Sequence, residues 1–182
     1  MTTMSVANLR STALMLGRLG LGQAGDPEAE KKAIAKLKEW GVLVLEIAQN
    51  DNRLDVSYIT AQTKIGNDNL APLKDLTRLA QLNLRGQEIT DDAIPHIAGQ
   101  KTLVKLHLEK TKITDKALEL IKGLENLEYL NLYGTEITDA GLAQVENLKK
   151  LKALYLWMTK VTDAGVMKLQ QALPMCKINR GT

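Results

Sequence analysis

The chain has 182 residues and a formal net charge of +3, enough length for one domain with a sizeable core. The charge is too small, and Lys and Arg too dispersed, for a nucleic-acid surface. A single cysteine, Cys176, excludes an internal disulfide framework and a multi-cysteine metal site.

Residues 1–25 contain no Asp, Glu or Lys and run through Ser11-Thr12-Ala13-Leu14-Met15-Leu16-Gly17. Two readings of this leader stay open. One is a signal peptide cleaved near Gly22-Gln23-Ala24, which would export the mature chain to the periplasm or outside the cell. The other is a plain leader on a cytoplasmic protein, because Arg18 interrupts the apolar stretch. Export is preferred. No other stretch approaches the roughly 20 apolar residues that an integral membrane segment needs.

Residues 26–53 read as an N-terminal cap. Asp26-Pro27-Glu28 supplies a helix cap, a proline at the first helical position and an acid in the first turn. Ala33, Ile34, Leu37 and Trp40 give that helix an apolar stripe. A strand from Val42 to Ile47, a turn at Asn50-Asp51-Asn52 and a strand from Leu54 to Ile59 then form a hairpin.

From residue 54 to 182 the chain repeats. Leu82, Leu106, Leu130 and Leu154 are spaced by 24 residues, as are Leu84, Leu108, Leu132 and Leu156. Ile89, Ile113, Ile137 and Val161 keep the same step, and so do the Thr-Asp pairs at 90–91, 114–115, 138–139 and 162–163. A weaker unit precedes these four, with Val56, Tyr58, Thr60 and Ile65 in register. Alternation in the first half of each unit predicts a strand, and spacing of three in the second half predicts a helix. Thr-Asp at the junction is expected to cap that helix and to oppose its dipole. Leu173-Pro174-Met175-Cys176-Lys177-Ile178 reads as a closing edge strand.

The pattern L-x-x-L-x-L-x-x-T-x-I-T-D resembles the leucine-rich-repeat family, and Ile137-Thr138-Asp139-Ala140-Gly141-Leu142 is closest to its short bacterial repeats. The family's usual Asn or Cys is replaced by Gln87, Thr111, Thr135 and Thr159. The resemblance implies an α/β fold, a right-handed solenoid with a parallel sheet on the concave face and helices on the convex face. It implies a binding module, since the motif residues themselves are structural.

Residues flanking the paired leucines are expected to face outward on the sheet. They include Gln81, Asn83 and Arg85, then Lys105, His107 and Glu109. Tyr129, Asn131 and Tyr133 follow, and then Ala153, Tyr155 and Trp157. The last two sets hold four of the six aromatics in the chain, on positions that the core does not need. Exposed Tyr and Trp beside Asn and Arg is the composition of an interface hot spot. The candidate partner-binding residues are Arg85, His107, Tyr129, Asn131, Tyr133, Tyr155, Trp157 and Met158. Lys64, Glu88, Lys112, Glu136 and Lys160 alternate in sign at one repeat position and predict a ladder in which each charge lies between two opposite ones.

No catalytic, cofactor-binding or metal site is predicted. His96 and His107 fall on different elements, and neither has a nucleophile or second ligand at a suitable spacing. The recurring aspartates are explained by helix capping. The expected function is therefore non-catalytic protein binding through the concave surface. Two alternatives remain: glycan binding by the same aromatics, and a substrate-recognition subunit of a larger complex.

Overall fold

A computed structural model describes residues 26–181; the leader expected over residues 1–25 lies outside the described residues. The first element is helix α1, Pro27–Glu39. Asp26 accepts a hydrogen bond from the Glu28 N–H (3.0 Å), and Pro27 occupies the first turn, where a missing donor costs nothing. Its buried face carries Ala33 and Leu37.

Seven strands follow in one sheet, in the order of the sequence: β1 Leu43–Ala48, β2 Asp51–Ser57, β3 Leu79–Asn83, β4 Lys105–His107, β5 Tyr129–Asn131, β6 Ala153–Tyr155 and β7 Lys177–Asn179. β1 and β2 form an antiparallel hairpin, and every later pair is parallel. The register keeps the repeat in step: Leu82, Leu106, Leu130, Leu154 and Ile178 lie side by side. Strands pack about 4.8 Å apart while the returning segments are wider. The sheet therefore takes the inner, concave side of the solenoid.

The core is one continuous aliphatic column running from Ala33 to Cys176, with Tyr58 its only aromatic. Leu82, Leu106, Leu130 and Leu154 are fully buried, as are Leu84, Leu108, Leu132 and Leu156. Each contributes about 1.5–3 kcal/mol on burial, but only because a neighbouring unit covers it.

The convex side departs from the expected helices. The first two units return through 3₁₀ segments, Asn67–Asp75 and Asp91–His96. Only the later units form α-helix: α2 Asp115–Ile121, the single turn α3 Asp139–Leu142 with a 3₁₀ extension over Ala143–Val145, and α4 Asp163–Ala172. Pro72 and Pro95 account for the difference, since they lie inside the two 3₁₀ segments. Each lacks the N–H that an α-helix would donate four residues back, and its ring crowds that carbonyl.

The Thr-Asp pairs also do more than cap. Thr114 accepts from Lys116 N–H, Thr138 from Ala140 N–H and Thr162 from Gly165 N–H, as capping requires. Thr90, however, makes no such bond. The aspartates instead reach into the next unit. Asp91 accepts from the backbone N–H (2.8 Å) and hydroxyl (2.6 Å) of Thr114. Asp115 does the same to Thr138, and Asp139 to Thr162. Asn67 takes the aspartate's place before Thr90, accepting from its N–H and donating to its hydroxyl (both 2.9 Å). Asp163, at the end of the row, is met by the Arg180 guanidinium. Capping alone was thus an incomplete account of these carboxylates; they stitch unit to unit.

The charge ladder is likewise discontinuous. Lys64 pairs with Glu88 (2.7 Å) and Glu136 with Lys160, rather than each charge lying between two opposite ones. All four side chains are more than half exposed, so each pair contributes about 0–1 kcal/mol.

At the N-terminal end, the Glu30 carboxylate is buried. It accepts from Thr77 N–H (2.9 Å), from the Thr77 hydroxyl and from Arg78 Nε (2.6 Å). Arg78 also reaches Glu46 (3.0 Å) and the Asn52 carbonyl. One acid–guanidinium pair thereby ties α1, the hairpin and the first parallel strand together. Burial opposes the charge on Glu30, but the bonds from Thr77 and Arg78 outweigh it and hold the carboxyl below its ordinary value.

Candidate functional site

Strand register brings the candidate residues of the last units onto one face. Lys105, Tyr129, Ala153 and Lys177 form one row across the sheet, and His107, Asn131, Tyr155 and Asn179 form the next. Beyond the strand ends, Arg85, Glu109, Tyr133 and Trp157 recur at the same step. Alternating direction puts all three rows on the face opposite the leucines.

The rings meet one another at tilted angles. His107 and Tyr129 have centroids 4.7 Å apart, Tyr129 and Tyr155 5.4 Å, and Tyr133 and Trp157 5.5 Å. Tilted pairs of this spacing hold their orientation without fusing into a flat wall. The Lys110 ammonium lies 5.6 Å from the Tyr133 ring centre. Trp157 is 56% exposed and Met158 65%, whereas the three tyrosines are only half-buried. Gly181 closes the far side of Trp157. It sits at φ +77°, and a Cβ there would fall 2.3 Å from the indole Cδ1, so backbone alone fits.

Glu109, whose exposure the alternation pattern predicts, is instead 6% exposed. His107 Nδ1 lies 2.8 Å from its Oε1, and Asn131 Nδ2 donates to the same oxygen (2.7 Å). Glu109 Oε2 is buried and has no hydrogen-bond partner among the described residues. Asn131 also donates weakly to the Tyr129 hydroxyl (3.2 Å), and its side-chain carbonyl accepts from Tyr133 N–H (3.1 Å). Asn131 is therefore largely committed inside the protein. It orients Glu109 and the turn before Tyr133. Asn83 and Asn179 turn the chain in the same way, accepting from the N–H of Arg85 and Gly181.

Arg85, Glu109, Lys110, Asn131, Tyr133, Tyr155, Trp157 and Asn179 line a hollow of about 370 Å³. Five of the eight candidates, namely Arg85, Asn131, Tyr133, Tyr155 and Trp157, meet there. His107 and Tyr129 lie outside the lining but touch it, through Glu109 and Tyr155, and Met158 is also outside it. Three lining residues were absent from the sequence-derived set. Glu109 and Lys110 are charged residues, and charge on a sheet face is the ordinary mark of a solvated position. Asn179 belongs to the terminal strand, whose part in the surface shows only once β7 is paired.

The turn after each strand carries a second regularity. Gly86, Lys110, Gly134 and Met158, one per unit, all have positive φ, between 54° and 72°. Glycine suits that conformation, while Lys110 and Met158 bear its steric cost of about 1 kcal/mol or more. The following residue then fixes the turn: the hydroxyls of Thr111, Thr135 and Thr159 donate to the carbonyls of Leu108, Leu132 and Leu156 at 2.6–2.7 Å. Gln87 substitutes for them by donating to the Tyr58 and Arg85 carbonyls.

Among the described residues, no group of three or more His, Cys, Asp or Glu side chains is placed to hold a metal ion, and no helix is long and apolar enough to cross a membrane. Cys176 is buried, and burial pushes its thiol up to about 11, far from the thiolate form a nucleophile requires.

A family model described as Leucine Rich repeat matches residues 123–144. No curated protein matches the chain. Among solved structures, the chain is similar to an internalin of Listeria monocytogenes, at 19% identity over 62% of this chain and 37% of that one, with a TM-score of 0.45. It is also similar to a leucine-rich-repeat protein of Leptospira interrogans, at 22% identity over 62% of this chain and 33% of that one, with a TM-score of 0.43. The match spans about a third of either structure's own length. Residues 123–144 match the leucine-rich-repeat family, the neighbouring units keep that pattern at a constant step, and their strands stack in register: the chain has a leucine-rich-repeat fold.

Proposed function

We propose that this protein is a non-catalytic binding module that captures a protein ligand on the sheet face of its last two complete units. The observation that carries this reading is the hollow bounded by Tyr133, Tyr155 and Trp157. These large apolar rings are left partly exposed on a scaffold whose core is otherwise aliphatic. Holding such rings in water forgoes the stabilisation that burial would bring. A partner that covers them recovers it, and Tyr and Trp in a walled depression are typical anchors of such contacts. Arg85, Lys110 and Asn179 supply the polar rim that fixes orientation.

The geometry favours a protein over a glycan. Sugar stacking needs an open, flat ring face, yet Lys110 already covers the Tyr133 ring and Trp157 is tilted 48° from Tyr133. Side chains of a protein partner fill an irregular hollow of this kind more readily. If the leader over residues 1–25 exports the chain, extracellular or periplasmic proteins are the relevant ligands; if it does not, cytoplasmic ones are. A role as the recognition subunit of a larger complex would use the same face.

The test compares wild type with a Tyr133→Ala and Trp157→Ala double variant in protein capture and on a glycan array. Loss of about 2 kcal/mol or more of binding free energy is expected, with an unchanged circular dichroism spectrum. Undiminished capture by the variant would remove the aromatic face from consideration. Binding confined to the glycan array would replace the protein ligand with a carbohydrate.

A further inference from the structure

We infer that the hollow receives a cationic side chain of the partner, an arginine or lysine, with Glu109 as its counter-charge. This rests on the reading of the aromatic face as the binding surface and adds the chemistry of the group that enters it.

A carboxylate that is 6% exposed costs free energy unless it is paired or fully hydrogen-bonded. Glu109 is only half provided for. His107 and Asn131 both converge on Oε1, at 2.8 and 2.7 Å, and leave Oε2 buried and without a hydrogen-bond partner among the described residues, on a side chain that lines the hollow. Arg85 occupies the equivalent position one unit earlier, where it could have served as counter-ion. Yet among the described residues the only basic group within ion-pair distance of Glu109 is His107. The carboxylate is thus held at a fixed place by two neighbours and lacks a strong donor on its free oxygen.

The walls suit the same visitor. Tyr133, Tyr155 and Trp157 surround the opening, and the negative face of an aromatic ring attracts a cation. The Tyr133 ring already shows this by drawing the Lys110 ammonium to 5.6 Å. A planar guanidinium can lie against Tyr or Trp while its N–H groups donate to a carboxylate, which a neutral side chain of similar length cannot do. Arg85 and Lys110 also line the hollow, where they would repel a ligand that is basic throughout. The partner segment therefore presents one cation, with neutral or acidic residues beside it.

The experiment titrates the full chain with N-acetyl-arginine methylamide and, separately, with its uncharged isostere N-acetyl-citrulline methylamide, following by NMR the Trp157 indole N–H in wild type and the backbone amides of Lys110 and Asn179 in every variant. The arginine probe should shift these resonances saturably, and the citrulline probe should bind about tenfold more weakly or worse. Glu109→Gln should reduce the arginine affinity to that of citrulline. Equal binding of the two probes overturns the proposal, as does the absence of any Trp157 shift with arginine. The citrulline comparison uses the wild-type chain, so it stands even if Glu109→Gln disturbs the fold. If both probes bind equally and both are lost in the Tyr133→Ala and Trp157→Ala variant, the cation assignment falls while the aromatic surface remains. If the arginine probe binds that double variant undiminished, the surface itself is misplaced.

Discussion

The first and last parallel units of this solenoid share one frame and differ in nearly everything the frame leaves free. Near β3 the sheet face carries Gln81, Asn83 and Arg85, the return path is a 3₁₀ segment with a proline in it, and the unit-to-unit stitch is a neutral Asn67. Near β5 and β6 the same positions carry tyrosine and tryptophan, the segments before β5 and after β6 are α-helical, and the stitch is a carboxylate. The leucine column runs through both halves without change. A repeat architecture constrains the residues that touch the neighbouring unit and little else, so sequence drift collects on the sheet face and the outer return. Function is therefore to be sought where the units cease to resemble one another.

That contrast can be tested by substitution at equivalent positions. Asp115→Ala removes two hydrogen bonds to Thr138, one from a backbone donor and both to a charged acceptor, and should cost about 2 kcal/mol in urea denaturation. Asn67→Ala removes the neutral counterpart at Thr90 and should cost about 1 kcal/mol. Equal losses would mean that charge adds nothing to the stitch and that the two halves are joined alike.

The N-terminal clamp is the next largest effect and is set by pH. Glu30 is held below its ordinary carboxylate value, so it contributes stability above about pH 4.5, and that contribution disappears as pH falls through the lowered value. Glu30→Gln should flatten this acid limb of the stability curve relative to wild type. An unchanged acid limb would show that α1 is anchored by Ala33 and Leu37 rather than by the Arg78 pair.

At the other end, Met158→Gly should stabilise the protein by up to about 1 kcal/mol, since glycine relieves the positive φ at some cost in chain entropy. A lower melting temperature would mean that the methionine side chain packs against the aromatic face strongly enough to outweigh that strain. The smallest effect belongs to the ion pairs. Glu136→Lys should lower stability by less than about 1 kcal/mol and leave ligand binding intact. A loss of affinity at unchanged melting temperature would bring this edge of the sheet into the binding surface.

Much of the scaffold is legible in the sequence, because its determinants are local or strictly periodic. Leucines at a 24-residue step have no other way to be buried than by stacking, and Asp26-Pro27 starts a helix by chemistry contained in three residues. The aromatics could be assigned to the sheet face by alternation alone, and the strand register places them there. The prolines that turn two returns from α to 3₁₀ are equally visible in the chain, but a repeat pattern by itself predicts the same helix in every unit.

Tertiary structure alone decided how groups far apart in sequence share their hydrogen bonds. The aspartates bond across 23 residues to the next unit, which no inspection of a single Thr-Asp pair reveals. Alternation sends Glu109 outward with its neighbours. Its burial arises because Asn131, in the next strand, and His107 close over one of its oxygens. Sequence thus determined which residues face the core and which lie on the opposite face of the sheet. Packing between adjacent strands decided that one of the latter is a buried carboxylate with an oxygen to spare, because satisfaction of a polar group depends on partners that only register brings within reach.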